Sequence, residues 1–268
     1  MAQGRGEIKT LLEAHGVRPS RRLGQNFLAD PNLVDRIVRT AGVGTGDQVV
    51  EVGAGTGTLT RALAASGANV VAYEVDHRLL PLLGQVLSGL EVELRFADVT
   101  KVDLAEALGE GSWTMVANLP YNVGTPLILD VLRNVPAVDR LIVMVQHEVG
   151  DRLVAEPGSK SYGLPSVVTR LHTKSRIAFS VPPYVFFPAP EVESAVVELV
   201  RIPAPDFAEA AIGLAAAAFQ QRRKMLRRSL DSVLGDANTC LVAAGIDPTA
   251  RPEDLFAEDF VRLAQVVA

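Results

Sequence analysis

The sequence predicts an α/β protein with a doubly wound, mostly parallel sheet, followed by a small all-helical domain. Between residues 47 and 145, short apolar stretches typical of buried strands alternate with helical patterns. That alternation is characteristic of parallel strands joined by right-handed crossovers. A glycine-rich turn also follows the first of these strands directly. Beyond a proline-rich stretch at residues 202–206 the signals become helical, so we place a domain boundary between residues 1–202 and residues 203–268.

Length and composition limit the class of protein. A chain of 268 residues with 48% hydrophobic content can bury a substantial core. No apolar stretch approaches the ~20 residues needed to cross a bilayer, and no apolar signal core stands near the N-terminus, so we expect a cytoplasmic protein without a membrane partner. The single Cys240 excludes an internal disulfide and a cysteine-based zinc site. The four histidines show no ligand spacing, and we expect no metal.

The N-terminal region precedes the sheet. A short helix is predicted at residues 8–15, followed by a basic segment, residues 18–22, which from its charge alone is a solvated terminus. Residues 23–28 then form a compact loop of polar and aromatic residues. Asp30 is the N-cap of a helix that begins with proline and ends near Ala41.

Five strands are predicted for the parallel sheet. They are residues 48–52, 69–74, 91–97, 113–117 and 141–145. Helices are predicted at residues 58–66, after Asp76, and at residues 162–171 with an interruption near Pro165. Two further strands, residues 176–181 and 194–202, are joined by a short proline-rich link that favours an antiparallel pair at the end of the sheet.

The turn after the first strand carries the cofactor signal. It reads EVGAGTG and places Gly53, Gly55 and Gly57 at alternate positions, where a ligand can lie close to the backbone. The dinucleotide fingerprint has a different spacing, G-x-G-x-x-G, and seats a pyrophosphate at a helix N-terminus. Glu51, two residues before the first glycine, instead favours S-adenosylmethionine, which has no phosphate and carries an ammonium group.

Acidic residues end the next two strands. Glu74 stands 21 residues after Gly53, where an acid can accept hydrogen bonds from ribose hydroxyls. Asp98 ends the third strand and is placed to bond an adenine amino group. Each acid alone is better explained as a helix cap or a residue of a solvated turn. Together with Glu51, three acids at successive strand ends around a glycine loop favour cofactor binding.

Residues 118–122, which read NLPYN, follow the fourth strand at the edge where α/β sheets bind ligands. This stretch suits methyl transfer to an exocyclic amino group of a base, a poor nucleophile because its lone pair is delocalised. We expect the Asn118 side-chain oxygen and the Leu119 carbonyl, held extended before Pro120, to accept hydrogen bonds from the two N–H groups of the amine. Tyr121 is expected to stack on the base. The alternative is an ordinary turn after a strand.

Two adjacent aromatic residues, Phe186 and Phe187, stand in a loop stiffened by Pro188 and Pro190. Exposing both is unfavourable unless a planar group stacks there. We expect Phe187 to fill the core and Phe186 to face Tyr121 across a flipped base, because an adenine inside a helix cannot present its amino group to a cofactor.

A basic cluster lies in the predicted helical domain. Its members are Arg222, Arg223, Lys224, Arg227 and Arg228. The whole chain carries a net charge of −5, and without this cluster 21 basic residues face 31 acidic ones. Phe219, Leu226 and Leu230 recur at helical spacing, so we expect the basic cluster on the outer face of one amphipathic helix. Such a face would supply salt-dependent attachment to RNA, or be merely solvated.

Taken together, these motifs resemble those of the ribosomal RNA adenine N6,N6-dimethyltransferases. They are more similar to the small-subunit (16S) enzymes than to the macrolide-resistance enzymes that act on large-subunit RNA. The resemblance covers nearly the whole chain. The motifs that carry it are LGQNFL (23–28), EVGAGTG (51–57), NLPYN (118–122), VQHEV (145–149), YG (162–163), FFPAPEVES (186–194) and AFQQRRK (218–224).

The resemblance implies a Rossmann-like domain that depends on S-adenosylmethionine and releases S-adenosylhomocysteine. Residue motif and resemblance together assign the cofactor site to Asn26, Leu28, Glu51, Gly53, Gly55, Glu74, Asp98 and Asn118. The target-base site is assigned to Asn118, Leu119, Tyr121 and Phe186. Two residues depart from the family pattern: Ala54 replaces a usual proline, and His147 replaces a usual lysine and so removes a positive charge.

The function implied is dimethylation of N6 of two adjacent adenosines near the 3′ end of 16S rRNA, as a step in ribosome biogenesis. The partner would be the small ribosomal subunit or an assembly intermediate, and we expect the enzyme to be a monomer. Two alternatives stay open: a large-subunit rRNA adenine methyltransferase of the antibiotic-resistance type, and a ribosome-assembly factor whose catalysis is incidental.

Overall fold

The centre of the fold is a seven-stranded sheet, seen in a computed structural model that describes residues 3–268. The strands are β1 (Phe27–Leu28), β2 (Gln48–Val52), β3 (Asn69–Glu74), β4 (Val92–Phe96), β5 (Trp113–Asn118), β6 (Val138–Gln146), β7 (Thr173–Val181), β8 (Phe186–Phe187) and β9 (Ser194–Arg201). The helices are α1 (Arg5–Ala14), α2 (Pro31–Ala41), α3 (Thr58–Ala65), α4 (Leu80–Val86), α5 (Leu104–Leu108), α6 (Gly124–Asn134), α7 (His147–Leu153), α8 (Leu164–His172), α9 (Ala208–Gln220), α10 (Leu226–Ser229), α11 (Asp231–Leu234), α12 (Ala237–Ala243) and α13 (Ala257–Val267). None of these helices, within the described residues, is long and apolar enough to cross a membrane.

The sheet has the predicted doubly wound topology. Its strand order is β4-β3-β2-β5-β6-β9-β7, while β1 and β8 pair with each other in a separate two-stranded sheet. The strands from β4 to β6 are parallel, and β9 runs antiparallel to β6. The chain builds outward from β2 through β3 to β4, then returns to add β5 on the other side of β2. The order therefore reverses between β2 and β5, where α/β sheets open a crevice at the carboxyl ends of their strands.

The register of the strands brings the predicted site residues to one level. Val52 pairs with Tyr73 across β2 and β3, and Glu74 pairs with Phe96 across β3 and β4. The amides of Gly53 and Ala54 both donate to the Tyr73 carbonyl, at 2.8 and 3.0 Å. The glycine turn therefore begins beside the end of β3, next to Glu74.

Local capping explains where α2 begins and ends. The Asp30 carboxylate accepts from the amides of Asn32 and Leu33 at 2.8 and 3.1 Å, which satisfies two donors that have no partner inside the helix. Gly42 ends the helix in the left-handed conformation, with φ of 64°. Both ends agree with the sequence prediction.

The chain divides into two compact units. The first comprises the chain up to Gly150 together with Arg176–Val200, and the second comprises Asp151–Ser175 and Arg201–Ala268. The predicted boundary at residue 202 thus lies close to the second crossing, but residues 151–175 pack with the C-terminal helices. In this second unit the Phe219 ring lies 5.9 Å from Tyr162 and 6.3 Å from Phe260. Pro165 lies in the first turn of α8 and does not interrupt it.

The predicted basic helix is not continuous. Helix α9 ends at Gln220, residues 221–225 form turns, and α10 has only four residues. The reason lies in backbone pairing with a distant loop. The amides of Leu226 and Arg227 donate to the carbonyls of Ala250 and Pro248, at 2.8 and 3.1 Å, and not to the preceding helical turn. The prediction of one amphipathic helix was wrong.

Candidate active site

A cavity of about 250 Å³ opens at the carboxyl ends of β2, β3, β4 and β5. It lies within the first unit, at the point where the strand order reverses. The predicted site residues that line it are Asn26, Gly53, Gly55, Glu74, Asp98, Asn118, Leu119 and Tyr121. In the part of the chain that the structure describes, no group of three or more His, Cys, Asp or Glu side chains could hold a metal ion.

The glycine turn needs glycine for both conformation and space. Gly53 and Gly55 have φ of 84° and 57°, in the region that favours glycine. A Cβ atom at Gly55 would lie 3.0 Å from Cδ1 of Phe27, which lines the same cavity. The Gly55 amide donates to Oε2 of Glu74 at 2.8 Å. A side chain at residue 55 would therefore disturb the turn, the Phe27 ring and the bond to Glu74.

Glu74 is a buried carboxylate held by the backbone. Its Oε1 accepts from the amides of Val75 and Asp76, both at 2.9 Å, and its Oε2 accepts from Gly55. Burial raises the pKa of Glu74, and these three hydrogen bonds oppose the rise. A carboxylate offers about four acceptor positions. Glu74 therefore keeps a position for a hydroxyl group in the cavity.

Asp98 caps a short helical turn and also faces the cavity. Its Oδ1 accepts from the hydroxyl and the amide of Thr100 at 2.7 and 3.1 Å. The Nζ of Lys101 lies 3.5 Å from Oδ2. The Thr100 hydroxyl, with help from Lys101, holds the pKa of Asp98 below its usual range. Asp98 can therefore cap the turn and bind a ligand at the same time, because it stays ionised and its Oδ2 can accept a hydrogen bond.

Two acceptor oxygens remain at the end of β5. The Asn118 Nδ2 donates to the carbonyl of Asn26 at 2.9 Å, so Oδ1 is the amide atom left to accept. The Leu119 amide donates to Met144 at 3.1 Å, and no described donor bonds the Leu119 carbonyl. The chain then turns, because the Pro120 carbonyl accepts from the first residue of α6. The arrangement can receive two N–H groups of one amine.

Tyr121 is held beside these acceptors. Its hydroxyl lies 2.7 Å from Oγ of Ser194, a buried residue at the start of β9. Burial raises the pKa of Tyr121, and the hydrogen bond to Ser194 opposes this rise, so the phenol is neutral at physiological pH.

Gly24 lies close to the NLPYN turn: a Cβ atom at this residue would lie 3.2 Å from Cβ of Pro120. The loop of residues 23–28 therefore packs closely on the NLPYN turn.

The sequence prediction gave no role to Gln25. Its Nε2 donates to Oδ2 of Asp76 at 2.8 Å, and its Oε1 accepts from the amide of Ser20 at 2.8 Å. Gln25 thereby ties the loop of residues 23–28 to the end of β3. Gln25 belongs to the LGQNFL motif, which could have indicated its role. The prediction missed it because Asp76, its partner, was interpreted only as a helix cap.

Three predicted site residues do not line the cavity. Leu28, Glu51 and Phe186 have 4%, 1% and 0% of their surface exposed. Their side chains are buried beneath the cavity surface, and the contacts predicted for them stay predictions. The cofactor and base contacts predicted for the remaining residues stay predictions.

The pairing of β1 with β8 explains the position of Phe186. Phe27 pairs with Phe187 and Leu28 pairs with Phe186, and residues directly opposite each other lie on the same face of a strand pair. Phe27 and Leu28 both belong to the core cluster, and Phe27 also lines the cavity. Phe186 is fully buried and Phe187 packs partly buried against the same core, as predicted for Phe187, and neither lines the cavity. The stacking role of Phe186 stays a prediction.

Alanine substitutions should separate these two aromatics. Phe186→Ala is expected to lower the free energy of unfolding by about 3–5 kcal/mol, because it empties a fully buried site. Phe187→Ala should have a smaller effect on stability, because Phe187 is only partly buried. Urea unfolding measures both effects. Equal losses in the two variants would contradict the difference in burial.

Glu51 points into the core on the face opposite to Val52, which lines the cavity. Burial raises its pKa from 4.5 to about 8, a rise that the Thr60 hydroxyl reduces and Glu74 reinforces. Its Oε2 has no hydrogen-bond partner among the described atoms. Glu51 is therefore protonated at neutral pH.

The raised pKa of Glu51 predicts a pH-dependent stability. The unfolded chain loses this proton near pH 4.5 while the folded protein keeps it to about pH 8. The free energy of unfolding should therefore fall as pH rises through this window, by at most about 1.4 kcal/mol per pH unit. Glu51→Gln should flatten the fall and be more stable than wild type at pH 8 in urea titrations. The exposed Glu13→Gln serves as control. An unchanged pH dependence in Glu51→Gln would contradict a buried neutral carboxyl.

The second unit contains the basic cluster. Arg222 Nε lies 2.6 Å from Oε2 of Glu253, and its Nη2 donates to the Lys160 carbonyl at 3.0 Å. The charge of Arg222 is therefore balanced by Glu253, which is distant in the sequence. Arg223, Lys224 and the two arginines of α10 are exposed.

Comparison with known proteins decides the family. Residues 17–268 match the family model described as ribosomal RNA adenine dimethylase. The chain belongs to the ribosomal RNA adenine dimethylase family. Ribosomal RNA small subunit methyltransferase A of Leifsonia xyli subsp. xyli is 47% identical over 271 residues, which cover 97% of this chain and 97% of that protein. The resemblance predicted from the motifs is thereby confirmed.

Solved structures show the same fold. A dimethyladenosine transferase from Plasmodium falciparum aligns with a TM-score of 0.74 at 23% identity, over 88% of this chain and 95% of that one. The 23S rRNA methyltransferase ErmE aligns with a TM-score of 0.69 at 25% identity, over 90% of this chain and 99% of that one. The α/β fold class and the enzyme class are confirmed: this dimethylase family member is an S-adenosylmethionine-dependent rRNA adenine dimethyltransferase.

Proposed function

We propose that this dimethylase transfers methyl groups to N6 of two adjacent adenosines near the 3′ end of 16S rRNA, within the small ribosomal subunit or an assembly intermediate. The observation that carries the proposal is the pair of free acceptors, Asn118 Oδ1 and the Leu119 carbonyl, at the wall of the cavity. The small-subunit substrate is supported by the name of the 47% identical relative, against 25% identity to the 23S enzyme.

The cavity suits S-adenosylmethionine. The glycine turn lets a ligand approach the backbone at Gly53, Glu74 keeps an acceptor for a ribose hydroxyl, and Asp98 is ionised beside the space for an adenine amino group. When bound, this cofactor supplies an electrophilic methyl group on its sulfonium. Asn26, whose carbonyl holds Asn118, lies where it can cover that group.

The residues of the NLPYN turn prepare the amine. Asn118 Oδ1 and the Leu119 carbonyl accept hydrogen bonds from its two N–H groups and draw the lone pair out of conjugation with the ring. Tyr121, held by Ser194, supplies a face for the flipped base. Most of the rate enhancement then comes from orientation. No strong base is required, because the amine releases its proton to solvent after the bond has formed.

The exposed members of the basic cluster are proposed to contact RNA phosphates. Replacing Arg223, Lys224 and Arg228 by Ala should weaken binding and flatten the plot of log affinity against log salt by about 0.7–0.9 for each lost contact. Replacing Lys9, Arg39 and Lys174, which are exposed but scattered, removes the same charge and should change the slope little. Filter binding at several salt concentrations measures both. Equal slopes for the two triple variants would remove the cluster from the interface.

Transfer of labelled methyl groups to separated small and large subunits tests the substrate. The subunits should come from a strain that lacks this modification. We expect label in small subunits, by a monomeric enzyme acting in the cytoplasm where subunits assemble. Label in large subunits alone would replace this proposal with the antibiotic-resistance type of function.

A further inference from the structure

The N-terminal segment, residues 3–12, contacts the glycine turn from outside the cavity. Gln3 has no exposed surface. Its Oε1 accepts from Oγ1 of Thr58 at 2.6 Å, and its Nε2 donates to the Thr56 carbonyl at 3.3 Å. These two threonines flank Gly57, where the glycine turn passes into α3. No described residue before Arg22 lines the cavity, so Gln3 can affect a ligand there only through the turn.

The same segment also holds β8. The Arg5 guanidinium donates to the carbonyls of Tyr184 and Phe186, at 3.0 and 2.7 Å. Strand β8 carries Phe186, for which base stacking is predicted, and pairs with β1, which directly follows Asn26. Within a few residues, the N-terminal segment therefore contacts both the glycine turn and the strand that carries Phe186.

Buried side chains anchor this segment. Ile8 and Leu12 of α1 have 0% and 2% of their surface exposed and belong to the same core as Leu28 and Leu59. Arg5 is thus the first residue of a helix fixed to the core, and Gln3 stands two residues before that helix. A buried amide that uses both its donor and its acceptor has one orientation, and leaving its partners unpaired is unfavourable.

We propose that Gln3 is a positioning residue for cofactor binding, and that residues 3–12 form a strap that couples the glycine turn to β8. The inference rests on the proposed binding of S-adenosylmethionine in the cavity. By holding Thr56 and Thr58, Gln3 sets the position of Gly55, whose amide is bonded to Glu74. Without these bonds the glycine turn moves more freely, and Gly55 and Glu74 are less often placed to bind the same ligand.

The variant Gln3→Met tests the bonds separately from packing, because Met has a similar length but neither donates nor accepts strongly. We expect its Kd for S-adenosylhomocysteine, measured by calorimetry below its Tm, to rise about 10-fold. At saturating cofactor, kcat should stay within about 2-fold. The control Lys9→Ala, exposed on α1 in the same segment, should bind as wild type does. A Gln3→Met variant that folds but binds with unchanged affinity would overturn the strap.

A double-mutant cycle with Thr58→Val shows whether the two side chains act as one unit. If they do, the double variant should bind S-adenosylhomocysteine no more weakly than the weaker single variant. Simply additive losses would contradict the coupling. Failure of the wild-type protein to bind S-adenosylhomocysteine would instead refute the proposed function, and the strap with it.

Amide hydrogen exchange on the wild-type protein needs no variant to fold. Because coupling between two sites is reciprocal, saturating S-adenosylhomocysteine should slow exchange in α1, although α1 does not touch the cavity. Slowed exchange in the glycine turn together with unchanged exchange in α1 would overturn the strap while leaving cofactor binding intact.

Discussion

The variant Asn118→Ala is expected to lower methyl transfer by about 10²–10³-fold or more, since it removes a preorganised group that acts on the reacting amine. The structure adds a second reason for a large effect. The Asn118 amide also bonds the Asn26 carbonyl at 2.9 Å, so its loss frees the loop of residues 23–28 next to the cavity. Binding to ribosomal subunits should stay within a few-fold, because the exposed cations are untouched. Single-turnover kinetics and subunit binding measure the two effects.

A matched asparagine gives the control for this prediction. Asn134 lies exposed at the end of α6 and bonds only Asp130 of its own helix, at 2.7 Å, so Asn134→Ala should transfer methyl groups as wild type does. If Asn118→Ala lost methylation and subunit binding together, the separation of catalysis from attachment would be wrong. If it kept full activity, the acceptor role of Asn118 would be wrong.

The variant Glu74→Gln is expected to weaken binding of S-adenosylhomocysteine by about 10–100-fold, as the loss of hydrogen bonds to a charged acceptor would. Three backbone amides donate to Glu74, and a carboxamide has only one oxygen to receive them. Its NH₂ group would therefore face an N–H donor, either at Gly55 or at Val75 and Asp76. Calorimetric titration with S-adenosylhomocysteine measures the effect.

The exposed Glu110→Gln is the control for this second prediction. It makes the same chemical change in the same unit, away from the cavity, and should bind the ligand as wild type does. Equal affinities for Glu74→Gln and wild type would show that Glu74 only supports the backbone and receives no ligand hydroxyl.

The sequence predicts the parts of the site that local patterns determine. Gly53, Glu74, Asp98 and Asn118 each stand directly at the end of an apolar strand, and parallel strands bring their carboxyl ends to one edge. The cavity lies at that edge, and all four residues line it. Strand periodicity and the position of polar residues after each strand were sufficient for this result.

Other features depend on pairing between distant residues, and the sequence prediction missed them. The two-residue strand that holds Phe186 pairs with Phe27–Leu28, far away in the chain, and that pairing has no local sequence pattern. The helix predicted to carry the basic cluster is interrupted, because the Leu226 amide donates to the distant Ala250 carbonyl. Arg222 is compensated by Glu253, a partner that no local charge count reveals.

The central claim concerns which atoms are methylated, and nucleotide mapping tests it most directly. Small subunits lacking the modification would be incubated with the enzyme and S-adenosylmethionine, and their RNA analysed by primer extension and nucleoside mass spectrometry. The account predicts N6,N6-dimethyladenosine at two adjacent adenosines near the 3′ end of 16S rRNA, and none with Asn118→Ala. Modification at a single distant adenosine, or on an atom other than N6, would contradict it.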